Sequence, residues 1–309
     1  MASDIFMSPS KFNCYSELIM RSLSTNCLLG ESPLYDRSNQ LAYWLDLNLC
    51  YLYIYNLKKN KLSKFKLKLN APLGSLFLTS KKNLIITSNS GIHFLNTKTK
   101  KLNFLLDPRK DKKNLIFNDG ISETNGLYIG VSHKKEKLPI GYFYKFDGKN
   151  LKIIIDKFPV ANGPSIFKDK VIYSNSAQKT LILQSKRNSK IIFKKPIRSG
   201  YPDGSCFDTE GGLWLAHWGV GRVSRFKPNL KLDFSIKLPA KNTSSVCFIG
   251  PKRDQLLVTT AKVDTSKKDL KKFPLSGDTF ILKTNFKGEI IKSFDEKHLK
   301  KLKLLHRQH

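Results

Sequence analysis

Residues 30–46 read GESPLYDRSNQLAYWLD, which is a polar start, an apolar strand, a turn and a second apolar strand. Five further copies follow along the chain, and they read GSLFLTSKKNLIITS, NDGISETNGLYIGVS, NGPSIFKDKVIYSNS, PDGSCFDTEGGLWLAHWG and SSVCFIGPKRDQLLVTT. The six copies are separated by steps of 44, 44, 44, 40 and 42 residues, and they begin at Gly30, Gly74, Asn118, Asn162, Pro202 and Ser244. Repeats of about forty residues with several short strands each are typical of β-propellers. The sequence therefore predicts an all-β protein, a six-bladed β-propeller.

The rest of the chain is expected to complete this single body, so that residues 1–309 form one propeller domain. Residues 12–22 alternate loosely between apolar and polar side chains, and they predict an N-terminal strand that completes the sixth sheet and closes the ring. Residues 1–11 show no strand pattern and are expected to be disordered, whereas residues 296–309 are expected to form a helical or frayed tail. A β-sandwich also has many short strands, but it does not produce six similar units of near-constant length.

The formal net charge of +31 is extreme, and it raises the question of nucleic-acid binding. Only nine of the 55 basic residues are arginine, and the lysines are spread over the turns of all six repeats. Nucleic-acid readers instead cluster arginine forks and aromatic platforms on one face. The lysine content is more typical of compositional drift, so no nucleic-acid partner is expected, although the charge can still attract anionic substrates.

Targeting signals and membrane segments are not evident. No apolar run reaches the roughly 18 residues that a membrane helix needs, and the first twenty residues lack the pattern of a secretory signal. The five cysteines form no C-x-x-C pair, which favours reduced, buried thiols. These features predict a cytoplasmic protein without a membrane partner, and they leave the oligomeric state open.

Polar side chains recur at the start of each repeat, where the innermost strand of a propeller blade lies beside the central axis. Glu31, Asn118, Asp119, Asn162 and Asp203 stand at or next to this position. Carboxylates that converge in a dry channel require a cation, and their oxygens suit calcium, magnesium or manganese, with zinc tolerated. Each residue taken alone is also compatible with a simple turn, because N-D-G, N-G and P-D-G are common turn sequences.

Histidine and nucleophile motifs add little. His217 ends a strand of the fifth repeat beside Trp218, and it either lines the pocket or satisfies a turn. The sequence contains no G-x-S-x-G elbow, H-E-x-x-H helix, phosphate-binding glycine loop or zinc-type Cys/His spacing.

Across residues of about 26 to 290, the chain resembles the gluconolactonase/regucalcin family of six-bladed propellers, the senescence-marker-protein-like lactonases. Seven segments of this chain are similar to motifs of that family. Residues 29–33 match L-G-E-G-P, residues 43–46 match Y-W-V-D, residues 116–120 match R-F-N-D-G and residues 202–204 match P-D-G. Residues 212–223 match G-x-L-W-V-A-x-W-x-G-G-R-V, residues 244–248 match T-S-C-A-F and residues 274–277 match P-L-A-G. The long block in the fifth repeat is the most specific of these matches.

The resemblance implies a metal-dependent hydrolase that opens a lactone ring, most simply that of a sugar-acid (aldono)lactone. One divalent ion (Ca, Zn, Mn or Mg) would be held by Glu31, Asn162 and Asp203. Asp203 or a metal-bound water would activate the nucleophile, and Asn118 would contact the substrate. Glu136 matches a further family glutamate if residues 131–133 align without a gap, and His217 is added as a candidate for the pocket wall.

One departure from the family stands at Ile116, where the family has an arginine before F-N-D. Loss of that guanidinium removes a five-donor group that could hold a polar substrate. Two alternatives to a sugar lactonase therefore remain: a hydrolase of a less polar lactone or ester, and a calcium-binding propeller without turnover.

Overall fold

The computed structural model describes residues 2–6 and 19–305 and shows six β-sheets arranged as the blades of a propeller. Blades 1 to 5 have four strands each, and blade 6 has five. The fold expected from the repeats, a six-bladed β-propeller, is confirmed. In the described ranges, no helix has the length and apolar character needed to span a membrane.

The strands of blades 1 to 5 follow one another along the chain, and each blade begins with its innermost strand. Blade 1 comprises β3 Gly30–Asp36, β4 Leu41–Asp46, β5 Tyr51–Asn56 and β6 Lys61–Lys66; blade 2 comprises β7 Leu73–Leu78, β8 Leu84–Ser88, β9 Gly91–Leu95 and β10 Leu102–Leu106; blade 3 comprises β11 Leu115–Glu123, β12 Gly126–His133, β13 Gly141–Phe146 and β14 Leu151–Phe158; blade 4 comprises β15 Ala161–Phe167, β16 Lys170–Asn175, β17 Thr180–Ser185 and β18 Ile191–Pro196; blade 5 comprises β19 Tyr201–Phe207, β20 Leu213–Trp218, β21 Arg222–Phe226 and β22 Leu232–Lys237.

Blade 6 joins the two ends of the chain. It contains β23 Asn242–Ile249, β24 Gln255–Ala261 and β25 Thr279–Lys283, followed by β2 Ile19–Leu23 and β1 Ala2–Phe6. β2 pairs antiparallel with β25, so the expected N-terminal closure is present. Residues 2–6 differ from the expected disorder, because β1 pairs along the edge that β2 would otherwise leave open. Residue 1 and residues 7–18 lie outside the described residues.

Every innermost strand carries a register shift near its start, in the same part of all six blades. The shifts fall between Glu31 and Leu34, Leu73 and Leu76, Phe117 and Gly120, Asn162 and Ser165, Pro202 and Ser205, and Thr243 and Ser245. A β-bulge bends its strand and re-aims the side chains beside it. The polar residues at the starts of the repeats therefore lie at a distortion that is common to the blades. We call the end of the central channel at which these distortions lie the mouth face.

Hydroxyl groups tie neighbouring blades together around the channel. Ser244 Oγ in blade 6 donates to the Gly30 carbonyl of blade 1 (2.5 Å). Ser174 Oγ in blade 4 donates to the Asp203 carbonyl of blade 5 (2.8 Å). The small polar residues of the repeats thus satisfy backbone groups that the bulges remove from the sheet ladders.

Apolar side chains packed between adjacent blades form the core, and blade 5 also contains a buried ionic group. Arg225 Nε donates to Asp208 Oδ2 (2.8 Å), and Trp214 Nε1 donates to the same oxygen (2.9 Å). The Arg225 guanidinium also lies 3.9 Å from the ring centroid of Phe286. Asp208 is fully buried, so this arrangement compensates a carboxylate inside the blade.

The chain after β25 crosses the opposite end of the channel, which we call the strap face. Residues 284–298, the C-terminal strap, bond in turn to blades 5, 3 and 2: Glu289 N donates to the Phe207 carbonyl (2.8 Å), Ser122 Oγ to the Lys292 carbonyl (2.7 Å), and Phe294 N to the Leu78 carbonyl (2.8 Å). The tail then forms a 3₁₀ turn, Glu296–His298, and α2 Leu299–Leu304, while α1 Lys267–Lys272 lies in the loop after β24. Residues 306–309 are outside the described part of the tail.

Candidate functional site

Three amide and carboxylate side chains from consecutive blades are linked at the mouth face. Asn118 Nδ2 in blade 3 donates to Asn162 Oδ1 in blade 4 (2.5 Å), and Asn162 Nδ2 donates to Asp203 Oδ1 in blade 5 (2.6 Å). Asn162 and Asp203 are buried, whereas Asn118 is half-buried. The structure therefore brings together three residues that are 44 and 41 positions apart in sequence.

Glu31 of blade 1 belongs to the same electrostatic group. Its carboxylate is buried and accepts a hydrogen bond from Ser32 N (3.0 Å). Burial raises its pKa well above the ordinary value, and the charges of Asp119 and Asp203 raise the pKa further. Glu31 therefore shares a poorly solvated environment with the carboxylates of blades 3 and 5, whose charges oppose its ionisation.

Asp119 is a third buried carboxylate, and the sequence analysis assigned it no separate role. Its Oδ2 accepts a hydrogen bond from the backbone of Gly163 (2.7 Å), the residue after Asn162. Burial raises the pKa of Asp119 from 3.8 to about 6 despite that hydrogen bond. The signal that could have identified this residue is its place inside the blade-3 bulge, between Phe117 and Gly120.

These three carboxylates have no cationic partner in the described part of the chain. No lysine, arginine or histidine in residues 19–305 forms an ion pair with Glu31, Asp119 or Asp203. Burial, followed by the charges of Asp119 and Glu136, raises the pKa of Asp203 well above its ordinary value. Buried, unpaired negative charge of this density disfavours the ionised state unless a positive ion joins it.

The carboxylate and amide oxygens of the site are of the kind that bind a hard divalent cation, although they are not arranged as a complete coordination shell. Among the residues described, no three His, Cys, Asp or Glu side chains are grouped as a metal site. The set implied by the resemblance has two carboxylates, on Glu31 and Asp203, and one amide, on Asn162. Asn162 turns Nδ2 toward Asp203 and toward Ser176 Oγ (3.0 Å). Rotation of this amide by half a turn would present oxygen to a cation, which oxygen-binding metals require.

Glu136 stands at the rim of the same end of the channel. It lies in the loop after β12, is exposed, and has a left-handed backbone (φ 58°). Its charge contributes to the raised pKa of Asp203, while its own pKa is raised by partial desolvation and then by the charge of Asp264 in the loop after β24. Glu136 therefore extends the acidic surface from the channel to its mouth.

His217 is buried beside the site, with no direct hydrogen bond to it. Its Nδ1 lies 3.0 Å from the Ser199 carbonyl, which places the proton on Nδ1, and its buried Nε2 has no partner in the described residues. Burial, and then the charge of Arg222, lower its pKa to about 4, so the ring is neutral at pH 7. No hydrogen bond links His217 to Asn118, Asn162 or Asp203, and its expected place in a substrate pocket remains a prediction.

Below the carboxylates the channel is narrow. A cavity of about 60 Å³, lined in part by Asp119, Gly163, Ser205 and Ser245, occupies this waist. A much larger cavity of about 800 Å³ opens at the strap face. The acidic group and this larger cavity therefore lie at opposite ends of the channel.

Comparison with known proteins gives concordant results. The sequence profile of the SMP-30/Gluconolactonase/LRE-like region matches residues 29–262. Regucalcin of Sus scrofa is 29% identical over 296 residues, which cover 89% of this chain and 94% of that protein. Bacillus subtilis (strain 168) YvrE, whose name makes it a candidate sugar lactone lactonase, is 27% identical over 271 residues, with 83% and 91% covered.

Solved structures show the same fold. Regucalcin from Agrobacterium tumefaciens, described as a calcium-binding protein, superposes with a TM-score of 0.81 at 23% identity, covering 88% of this chain and 96% of that one. A gluconolactonase from Xanthomonas campestris superposes with a TM-score of 0.68 at 15% identity, with 90% and 99% covered.

Proposed function

Because this chain belongs to the SMP-30/gluconolactonase/LRE-like family, we propose that it is a metal-dependent lactonase whose substrate is a sugar-acid lactone. The observation that carries the proposal is the buried group of Glu31, Asp119 and Asp203, which has no cationic partner among the described residues. A family relative named for sugar lactone hydrolysis and a structural neighbour named as a gluconolactonase support the reaction class.

Glu31, Asn162 and Asp203 are the proposed ligands of one divalent ion. Their oxygens come from three different blades, and hard ions such as calcium, magnesium and manganese favour such donors, with zinc also tolerated. Calcium is the first ion to test, because the regucalcin neighbour is described as calcium-binding. A bound ion would polarise the lactone carbonyl and stabilise negative charge on its oxygen.

Asp203 is the proposed general base of the hydrolysis. Its carboxylate would accept a proton from the attacking water as the water oxygen bonds to the lactone carbonyl carbon, and the proton would then pass to the ring oxygen as the C–O bond breaks. Asn162 Nδ2 lies 2.6 Å from Asp203 Oδ1, so the proposed amide ligand and the proposed base are adjacent. Half-buried Asn118 is accessible from the mouth and is the proposed substrate contact.

Ile116 favours a second candidate within the same reaction class. This residue is half-buried, pairs with Ser132 across β11 and β12, and offers no side-chain hydrogen-bond donor. An apolar side chain close to Asn118 would suit a less polar lactone or ester better than a polyhydroxylated one. If neither substrate class is turned over, a calcium-binding propeller without catalysis is the remaining interpretation.

A matrix of metals and lactones tests these assignments. The chelated protein is assayed with calcium, magnesium, manganese or zinc on an aldonolactone and on an aliphatic lactone of the same ring size. We expect metal-dependent hydrolysis that is abolished in Asp203→Ala and retained in Asp156→Ala, which removes an exposed carboxylate from β14. Wild-type rates in Asp203→Ala would overturn the mechanism, and tight metal binding without turnover of either lactone would favour the non-catalytic interpretation.

A further inference from the structure

The strap face contains a cavity that the proposed lactonase does not use. It has a volume of about 800 Å³, which is within the range of roughly 300–1,000 Å³ typical of small-molecule sites. Inner-strand ends from all six blades line it, and residues 289–293 of the C-terminal strap cross over it. A waist of about 60 Å³, lined by Asp119 as well as by Ile291 and Lys292 of the strap, lies between this cavity and the acidic group at the mouth.

The wall of this cavity is apolar and in part aromatic. Ile121, Ile166, Phe207 and Phe248 contribute from blades 3, 4, 5 and 6. Ile291 of the strap also lines the cavity and remains 40% exposed. Apolar surface of this extent around the channel axis, left open to solvent, suits the hydrocarbon or aromatic body of a ligand.

The charged side chains of the cavity are predominantly basic. Two acidic residues, Glu123 and Glu289, line it, together with six basic ones: Arg37, Lys82, Lys168, Lys186, Arg253 and Lys292. Lys186 pairs with Glu123, and Lys82 lies 3.5 Å from Asp36. Arg37, Lys168 and Lys292 are exposed and form no ion pair within residues 19–305.

Arg253 adds a buried donor to this basic rim. Its Nη1 donates to the Gly288 carbonyl at the start of the crossing strap (2.8 Å), while its Nε is buried and has no hydrogen-bond partner in the described structure. The guanidinium is thereby fixed beside the strap and adds positive charge to the cavity wall. Such a charge would attract a ligand anion.

We infer that the strap-face cavity is a second ligand site, which binds small organic anions with an apolar body and one carboxylate or sulfonate group. The apolar body would contact the inner-strand ends of blades 3 to 6. The anionic group would face Arg253, Lys168 and Lys292 at the rim. The cavity is unsuited to a cation, because its unpaired charges are mainly positive, and this distinguishes it from the acidic mouth of the same channel.

Fluorescence titration of the full chain with 8-anilinonaphthalene-1-sulfonate tests the inference. We expect saturable binding of one dye per chain, competition by octanoate, and at least about tenfold weaker competition by octan-1-ol, which has the same chain length without the charge. Lys168→Glu/Lys292→Glu should weaken dye binding by about tenfold or more, because it reverses two unpaired charges at the rim.

A matched control separates local from global charge. Lys152→Glu/Lys194→Glu makes the same change in net charge on exposed residues of the outer strands β14 and β18, and it should leave dye affinity unchanged. Asp203→Ala should also bind the dye normally, so failure of the lactonase proposal would not affect this result. Equal weakening in the two lysine pairs, equal competition by octanoate and octan-1-ol, or no saturable binding would each overturn the inference.

Discussion

Asp119→Asn tests whether uncompensated negative charge destabilises the channel when no metal is bound. The substitution keeps an oxygen that can accept the hydrogen bond from Gly163 N, now 2.7 Å from Asp119 Oδ2, but it removes the ionisable group. Asp119 is only 7% exposed, so solvent screens its charge weakly. The variant should therefore be more stable than the wild type at high pH in the presence of a chelator.

The size of this effect follows from the pKa of Asp119, which burial raises from 3.8 to about 6. A raised pKa means that the folded state binds the proton more tightly than the unfolded state, so the associated stability is present below pH 3.8 and is lost as pH rises through 6. The difference of about two pKa units corresponds to about 3 kcal/mol at pH 8 and to roughly 0.5 kcal/mol at pH 4. Asp119→Asn should gain about these amounts relative to the wild type.

Urea unfolding at pH 4, 6 and 8 in excess chelator measures the difference directly. Asp156→Asn is the matched control, because it makes the same chemical change at an exposed position on β14 and should not alter stability at any pH. Added calcium should narrow the gap between the wild type and Asp119→Asn, since a cation offsets the charge that the variant lacks. The reasoning is wrong if Asp119→Asn is less stable than the wild type at pH 8 in chelator, or if the gap does not depend on pH.

Three further changes have definite expected results. Arg225→Met should lower the free energy of unfolding by about 3–5 kcal/mol in urea denaturation, because it leaves the buried carboxylate of Asp208 unpaired; a loss below about 1 kcal/mol would contradict this. Between pH 7 and pH 5, His217→Phe should lose about 2 kcal/mol less free energy of unfolding than the wild type loses. The reason is that the buried ring, with a pKa of about 4, stays neutral in the folded wild type and takes up a proton on unfolding in acid. An unchanged pH profile would contradict this. Ile116→Arg should raise kcat/KM for an aldonolactone by about tenfold relative to an aliphatic lactone, because a guanidinium supplies donors to substrate hydroxyls; an unchanged ratio would show that this position does not select the substrate.

The blades could be predicted from the sequence because each repeat contains apolar strands separated by turn residues at a near-constant step. The closure by β2 was also predictable, since a ring of sheets favours pairing of its two ends. The same spacing placed Glu31, Asn162 and Asp203 at one end of the channel, and the structure links Asn162 and Asp203 directly.

Other features could not be predicted, for identifiable physical reasons. A strand pattern does not show which of two adjacent residues a bulge turns inward, so Asp119 was not separated from Asn118. The C-terminal strap is held largely by backbone hydrogen bonds, such as Glu289 N to the Phe207 carbonyl, and these leave no side-chain pattern. The basic cavity combines residues from all six blades and the strap, and its cations could not be distinguished from the many other lysines of the chain.

Calorimetric titration of the chelated protein with calcium, and then with manganese, magnesium and zinc, tests the central claim most directly. We predict that at least one of these ions binds with one-to-one stoichiometry. Its affinity should fall by about a hundredfold or more in both Glu31→Gln and Asp203→Asn, while Asp156→Asn binds as the wild type does. Absence of binding by all four ions, or wild-type affinity in Glu31→Gln and Asp203→Asn, would contradict a metal site built from the inner strands of different blades.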